Sequence, residues 1–87
     1  MIFENTFHLQ PNPASKFVTV DYFVPMAASN AELTVTSITG QKIKSYPASK
    51  GKQTTELNIE DVTAGVYFLN LLVNNKTVVS RKMVVVR

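Results

Sequence analysis

Residues 66–86 read VYFLNLLVNNKTVVSRKMVVV, and this stretch decides the fold class. Apolar residues recur with the two-residue period of β-strands on both sides of Asn74-Asn75. Asparagine tolerates positive φ, so Asn74-Asn75 predicts a two-residue turn between strands at residues 66–73 and 77–86. The stretch therefore predicts an antiparallel β-hairpin.

An upstream segment, residues 17–24, shows the same period. Its apolar face consists of Val18, Val20, Tyr22 and Val24. One apolar face predicts a strand that is half-buried in a sheet. Directly ahead of it, Pro11-Asn12-Pro13 cannot be helical or lie inside a central strand, because proline fixes φ and lacks a backbone N–H. The motif is predicted to position the first long strand as a stiff, extended or turning segment.

Further strands are predicted at residues 31–39, 42–46 and 53–60, with turns between them. The inward side chains are expected to be Leu33, Val35, Leu57 and Ile59, and Val62 can point inward from the connection at 61–65. We expect residues 6–9 to be ordered and the first five to be loose. Six or seven short strands without a helix predict an all-β chain, an immunoglobulin-like antiparallel β-sandwich of about seven strands.

Composition limits the classes of protein that need consideration. The 87 residues suffice for one domain, and 45% apolar with 17% charged residues favours a folded chain over a disordered one. The absence of cysteine excludes disulfides and thiolate metal sites. No apolar run has the length of a membrane span, and the first residues do not resemble a signal peptide.

The net charge of +3 has a local origin in the middle of the chain. Lys42, Lys44, Lys50 and Lys52 cluster there in sequence. Such a cluster indicates either a surface for nucleic acid or acidic glycan, or a solvated hairpin whose lysines protect a strand edge. We favour the second interpretation and expect no nucleic-acid partner, because no arginine lies nearby and Tyr46 is the only aromatic residue available for stacking.

Residues able to do chemistry are few. A nucleophilic triad would have to be built around His8, the single histidine, with Asp21 or Asp61. The adjacent acids Glu60-Asp61 are more typical of hydration and backbone capping in a turn than of acid–base catalysis. One histidine with scattered acids offers too few converging ligands for a metal site. The isolated glycines form no phosphate-binding loop. The sequence therefore predicts a non-catalytic domain without metal or cofactor.

Three stretches together resemble a known family: FHLQPNPASKFVTVDY, ELTVTSITGQKI and LNIEDVTAGVYFLNLLVNNKTVVSRKMVVVR. They are similar to the C-terminal sorting domain, type A, of type IX (Por) secretion cargo. The matching features are the Pro-Asn-Pro motif, a strand–turn glycine, a Gly-x-Tyr block with alternating apolar residues, and a basic residue before a β-branched tail. The residues that carry this structural motif are Pro11, Asn12, Pro13, Gly40, Gly65 and Tyr67. Two departures are Leu9-Gln10, where an aromatic often stands, and Arg87, where lysine is usual.

The resemblance implies a role as a sorting signal of a secreted Gram-negative cargo, often a protease, adhesin or other virulence factor. Residues 1–6 would be a linker remnant from the upstream cargo and residues 7–87 the sorting domain. Its implied partners are the type IX outer-membrane machinery and a sortase-like cysteine peptidase that removes the domain. The implied route runs through the periplasm to the cell surface or the medium.

The resemblance also implies that the tail is recognised. The recognition residues would be Lys82, Met83, Val84, Val85, Val86 and Arg87. One mode is β-augmentation, in which the strand pairs with the edge of a receptor sheet. The alternative is that residues 84–86 form ordinary core strand, and both can hold for one strand.

Two rival functions use other features of the sequence. A carbohydrate-binding or adhesive sandwich would present exposed aromatic side chains, for which Phe17 and Phe23 are the candidates. A chaperone-like module would act by strand exchange. An unpaired strand edge also allows a domain-swapped dimer.

Overall fold

The computed structural model describes residues 6–87, and these residues form seven β-strands. The strands are β1 (His8–Gln10), β2 (Phe17–Val24), β3 (Ala31–Ser37), β4 (Lys42–Pro47), β5 (Gly51–Asn58), β6 (Gly65–Val73) and β7 (Lys76–Val85). All strand pairs are antiparallel. The predicted all-β class is confirmed.

The strands form two sheets that face each other. One sheet has three strands in the order β1-β2-β5, and the other has four in the order β4-β3-β6-β7. The chain thus changes sheet between β2 and β3, between β4 and β5, and between β5 and β6. β4 adds to the sheet of β3, as strand C′ does in variable-type immunoglobulin domains. The predicted immunoglobulin-like sandwich is therefore confirmed.

The core lies between the two sheets and follows the predicted alternation. Val18, Val20, Tyr22 and Val24 are all buried, as are Leu33, Val35, Leu57, Ile59, Val62, Leu69, Leu71 and Met83. Phe7, just before β1, is fully buried. This confirms that residues 6–9 are ordered, whereas the expectation for the first five lies outside the described residues.

The turn between β6 and β7 forms at the predicted residues. Asn74 and Asn75 have φ values of 52° and 67°, which is the conformation that a two-residue hairpin turn demands. The Asn74 side chain also accepts a hydrogen bond from Ser29 N at 2.7 Å, and Asn74 N donates to Asn30 O at 3.0 Å. The turn is therefore fixed to the connection between β2 and β3.

Strand ends differ from the predicted ones by one or two residues. β3 stops at Ser37 because a turn follows, in which Gly40 N donates to Ser37 O at 2.9 Å and Gly40 has a φ of 91°. β5 begins at Gly51, two residues before the predicted start, because Val24 at the end of β2 pairs with it. Ile59 remains in the core although β5 ends at Asn58.

The outer face of the four-stranded sheet contains a buried polar network. The Asn70 side-chain amide donates to the hydroxyls of Thr34 at 3.2 Å and Thr36 at 3.0 Å. Its carbonyl oxygen accepts from the Ser80 hydroxyl at 2.6 Å. Because each buried polar group has a partner, the network stabilises the alignment of β3, β6 and β7.

Candidate functional site

The tail that the sequence singles out alternates between core and surface. Met83 and Val85 are buried, with 0% and 2% of their surface exposed. The side chains of Lys82 and Val84 point to the opposite, outer face of the four-stranded sheet, because successive side chains in a strand alternate. Val86 is 44% exposed. Core packing and availability to a partner therefore belong to different residues of the same tail.

The Pro-Asn-Pro motif lies against the outer edge of this tail. Asn12 accepts a hydrogen bond from Val84 N at 3.0 Å through Oδ1 and donates from Nδ2 to Lys82 O at 3.0 Å. Pro11 and Pro13 are both preceded by cis peptide bonds. The Asn12 amide thus makes the two hydrogen bonds that a neighbouring strand would otherwise make.

Ala14 continues the cover of the same edge. Ala14 N donates to Val84 O at 2.9 Å, and Ala14 O accepts from Val86 N at 2.8 Å, so that Ala14 forms a parallel bridge opposite Val85. From Lys82 O to Val86 N the outward backbone groups are therefore hydrogen-bonded within the domain. Recognition of this edge by β-augmentation would require residues 12–14 to move away first.

Arg87 follows β7 and folds back onto two loops. Its guanidinium donates to the backbone oxygens of Ser15, Ile59 and Val62, with the bond to Ile59 measuring 2.6 Å. Arginine suits this position because its planar guanidinium presents several N–H groups in fixed directions. Arg87 therefore ties the end of β7 to the connection between β5 and β6 and to the segment before β2.

Gly65 and Tyr67 form a corner at the start of β6. The Tyr67 hydroxyl donates to Thr63 O at 2.8 Å, and its ring is largely buried. This arrangement is the tyrosine corner of immunoglobulin-like sandwiches, in which a tyrosine bonds to backbone a few residues upstream. A Cβ at Gly65 would lie 3.5 Å from the Tyr67 ring, which is ordinary van der Waals contact, so Gly65 packs directly beside the ring. The Gly-x-Tyr motif thus turns the chain into β6, which pairs with β7.

An ion pair lies at the same end of the sandwich. Lys44 Nζ is 2.7 Å from Asp61 Oδ1 and 3.1 Å from Asn58 O. The hydrogen bond from Lys44 lowers the pKa of Asp61 below its ordinary value, and the same bond raises the pKa of Lys44. Burial raises the pKa of Tyr46, whose hydroxyl donates to Asn58 O at 2.7 Å. Asp61 therefore pairs with a lysine from β4 in addition to lying in the predicted turn.

The four central lysines do not form one surface. Lys42 lies opposite Thr36 on β3, and Lys44 pairs with Asp61. Lys52 lies opposite Phe23 in the other sheet. The structure thus separates residues that are close in sequence, in agreement with the interpretation that these lysines belong to solvated strands.

His8 and Asp21 lie opposite each other on the outer face of the three-stranded sheet, beside a shallow cleft of about 430 Å³. Thr54 completes the row and donates its hydroxyl to Asp21 Oδ1 at 2.6 Å. A nucleophilic triad needs the hydroxyl on the histidine and the carboxylate behind it. The order here is different, because the hydroxyl binds the carboxylate directly.

The two aromatic candidates for a sugar platform lie far apart. Phe17 begins β2 and is 46% exposed, whereas Phe23 lies near the other end of the same strand. Six residues of strand separate them by about 20 Å. One sugar ring cannot stack on both side chains.

Metal and membrane sites were sought in the part of the chain that the structure describes. Within residues 6–87, no three His, Asp or Glu side chains converge as metal ligands. Over the same range, no helix has the length and apolar character required to cross a membrane.

Comparison with known proteins identifies the family. No curated protein matches the chain. The family model described as the secretion system C-terminal sorting domain matches residues 8–86, from the first residue of β1 to the residue after β7. The match includes the Pro-Asn-Pro cover, the tyrosine corner and nearly all of the tail, so the resemblance seen in the sequence is confirmed. The chain belongs to the family of type IX secretion system C-terminal sorting domains.

Proposed function

We propose that this domain directs an attached cargo protein across the outer membrane through the type IX machinery. A sortase-like cysteine peptidase then removes the domain as the cargo is attached to the cell surface. The observation that carries the proposal is the family match over residues 8–86. On this route the cargo passes through the periplasm and ends on the cell surface or in the medium.

The independence of the fold supports this role. Phe7 at one end of the described chain and Met83 near the other are both fully buried in the same core. Burial of large apolar side chains supplies the main favourable free energy of folding, so the module carries its own stability. A signal of this kind can serve unrelated cargo proteins. Burial of Phe7 also supports a boundary with a linker at residues 1–6 and the domain at 7–87.

In this proposal the domain is a substrate of the peptidase and performs no catalysis itself. The Thr54 hydroxyl supports this, since it donates to Asp21 and not to a histidine, as the nucleophile of a triad does. The bond that is cut would lie at or before residues 1–10. A domain-swapped dimer stays a prediction, and concentration-dependent light scattering of the purified domain would test it.

A reporter fusion tests the proposal. The chain is placed behind a signal peptide and a fluorescent protein, and the fusion is expressed in type IX-competent cells and in cells without the machinery. We expect surface fluorescence only in the competent cells. Equal surface delivery in both strains, or retention of the reporter in both, would refute the proposed function.

Removal of residues 82–87 is expected to trap the reporter in the periplasm. This deletion also removes Met83 and Val85 from the core and the Arg87 contacts. Thermal unfolding of the purified truncated domain therefore accompanies the localisation. Normal delivery of the truncated fusion would show that the tail is not required.

A further inference from the structure

Exposed apolar side chains concentrate at one end of the four-stranded sheet. Seven large apolar side chains are exposed among residues 6–87: Phe17, Met26, Ile38, Ile43, Val66, Phe68 and Val86. Five of these seven, all except Phe17 and Met26, belong to β4, β6 or the residues just after β3 and β7. Val66 and Phe68 pair with the end of β7, and Ile38 and Val86 directly follow Ser37 and Val85, which pair with the start of β6. Exposed apolar patches of this kind mark interaction surfaces.

The outer face at this end has a defined arrangement. Phe68 lies opposite Thr36 on one side and Lys82 on the other, and Val66 lies opposite Val84. We call these five residues the outer strip. Their side chains share the outer face because the residues between them, Tyr67 and Met83, point into the core. The outer strip thus contains the outward-facing residues of the tail together with those of β6.

Charge around the outer strip has one sign. Lys42 lies opposite Thr36, so a lysine stands at each end of the row that contains Phe68. The acid on the same face, Glu32, lies four residues before Thr36, which is about 13 Å along the strand. A surface that complements this row is apolar in the middle and carries carboxylates at its border.

The edge of β7 beside the outer strip is already hydrogen-bonded within the domain. Asn12 and Ala14 form hydrogen bonds with Lys82 O, with N and O of Val84, and with Val86 N. A partner that paired with this edge would first have to replace those hydrogen bonds. The outer strip is accessible without any such rearrangement, and the adjacent Asn70 network on the same face, which includes Thr36, holds β3, β6 and β7 in place.

We propose that the outer strip is the surface through which the sorting domain binds its receptor in the type IX machinery. This inference rests on the proposed function and specifies its contact: the receptor is a protein with an apolar surface bordered by carboxylates. The receptor contacts the outer face of the hairpin formed by β6 and β7, and the hydrogen bonds of Asn12 and Ala14 to the edge of β7 stay in place. Phe68 is the central anchor, and Lys82 with Lys42 supplies the charge complementarity.

The test compares two exposed phenylalanines on opposite sheets. Phe68→Glu places a charge in the outer strip, and Phe17→Glu does the same on the outer face of β2, where the side chain is similarly exposed. Since aromatic anchors near the centre of an interface dominate binding, we expect Phe68→Glu to lower surface delivery of the reporter about tenfold or more. Phe17→Glu is expected to retain delivery within about twofold, as for contacts outside a hot spot.

Three further measurements separate the outcomes. Thermal unfolding of each purified variant checks folding, and Phe68→Thr, which introduces a polar residue of high strand propensity, replaces Phe68→Glu if the latter does not fold. Lys82→Glu is expected to reduce delivery more than Lys52→Glu, a charge reversal on the other sheet. Sedimentation of the wild-type domain tests self-association.

Normal delivery of folded Phe68 variants, with the wild type delivered, would overturn this inference and leave the proposed function standing. Failure of the wild-type fusion itself would refute both. Dimers that Phe68→Glu abolishes would show that a second copy occupies the outer strip and would overturn its assignment to a receptor.

Discussion

The two edges of the four-stranded sheet are protected in different ways. β4 is short, contains a register shift beside Thr36, carries Lys42 and ends at Pro47. These are features that prevent a strand edge from pairing with another chain. The C-terminal half of β7 has a long apolar sequence, and its edge is covered instead by the Asn12 side chain and the Ala14 backbone.

The difference shows what each edge contributes. The composition of β4 alone makes it a poor partner, so it needs no cover. β7 must supply Met83 and Val85 to the core, and its sequence therefore stays strand-forming and apolar. A second segment of the chain then has to occupy its edge. The Pro-Asn-Pro motif performs this task.

The largest effect expected from this comparison concerns the apolar side chains of the two edge strands. Met83→Ala on β7 should lower the free energy of unfolding by about 2–5 kcal/mol, because it leaves a cavity in the core. The matched change on β4, Ile43→Ala, should cost about 0.5 kcal/mol or less, since Ile43 is 43% exposed. Urea denaturation measures both. Equal effects would contradict the assignment of β7 to the core.

The next effect concerns Arg87. Arg87→Ala should destabilise the domain by about 1–2 kcal/mol, because three backbone oxygens lose a charged donor. Arg87→Lys should restore part of the loss, since an ammonium group also donates but lacks the planar geometry of arginine. Thermal and urea unfolding provide the measurements. An unchanged stability of Arg87→Ala would mean that the tail end is not held by these contacts.

Asn12 tests the edge cover directly. Asn12→Ala should lower stability by about 1 kcal/mol through the loss of its hydrogen bonds to Lys82 and Val84. Amide hydrogen exchange at Val84 should become faster. Asn12→Asp keeps an acceptor for Val84 N and should preserve more of this protection. Equal exchange in Asn12→Ala and the wild type would show that Asn12 does not cover the edge.

The smallest effect concerns the pH dependence of stability that arises from the ion pair between Lys44 of β4 and Asp61. The pKa of Asp61 is lowered in the folded state by the hydrogen bond from Lys44, so the pair adds stability above the unfolded pKa of the carboxyl group. This contribution is lost as pH falls through the lowered folded value. Asp61→Asn should therefore weaken the acid dependence of thermal unfolding slightly. Because Asp61 is exposed, solvent screens the pair.

A double-mutant cycle with Lys44→Met isolates the interaction between Lys44 and Asp61. The acid dependence of Lys44→Met should resemble that of Asp61→Asn, and the double variant should add nothing further. Strictly additive effects of the two changes would contradict the pair.

Much of the fold follows from local sequence. The alternation of Val18, Val20 and Tyr22 predicts both a strand and its buried face, because side-chain period and sheet geometry are coupled. Asn74-Asn75 predicts its turn, because few residues accept positive φ. The predicted ends of the strands are less accurate than their centres. The start of β5 at Gly51 depends on how far β2 extends opposite it, which local sequence does not contain.

The candidate site was only partly predictable. The tail is identified by resemblance and the Pro-Asn-Pro motif by its prolines as well as by resemblance, but as separate features. Their contact joins residues 72 positions apart, and no periodicity encodes such a pairing. The part played by Arg87 likewise depends on strand order, and the pairing of Phe68 with Lys82 depends on a register shift between Leu71 and Leu72. The alternation of apolar residues does not specify which strands are neighbours, because many sheet arrangements satisfy the same alternation.

The contact between Asn12 and Val84 also has a meaning for the chain as a whole. Contacts between residues far apart in sequence cost the most loop-closure entropy and depend on the entire intervening chain. A polypeptide broken anywhere between these two residues can no longer rely on chain connectivity to bring them together. The covered edge of β7 therefore depends on residues 12–84 being one continuous chain, and a receptor that requires the folded tail would distinguish intact sorting domains from cleaved ones.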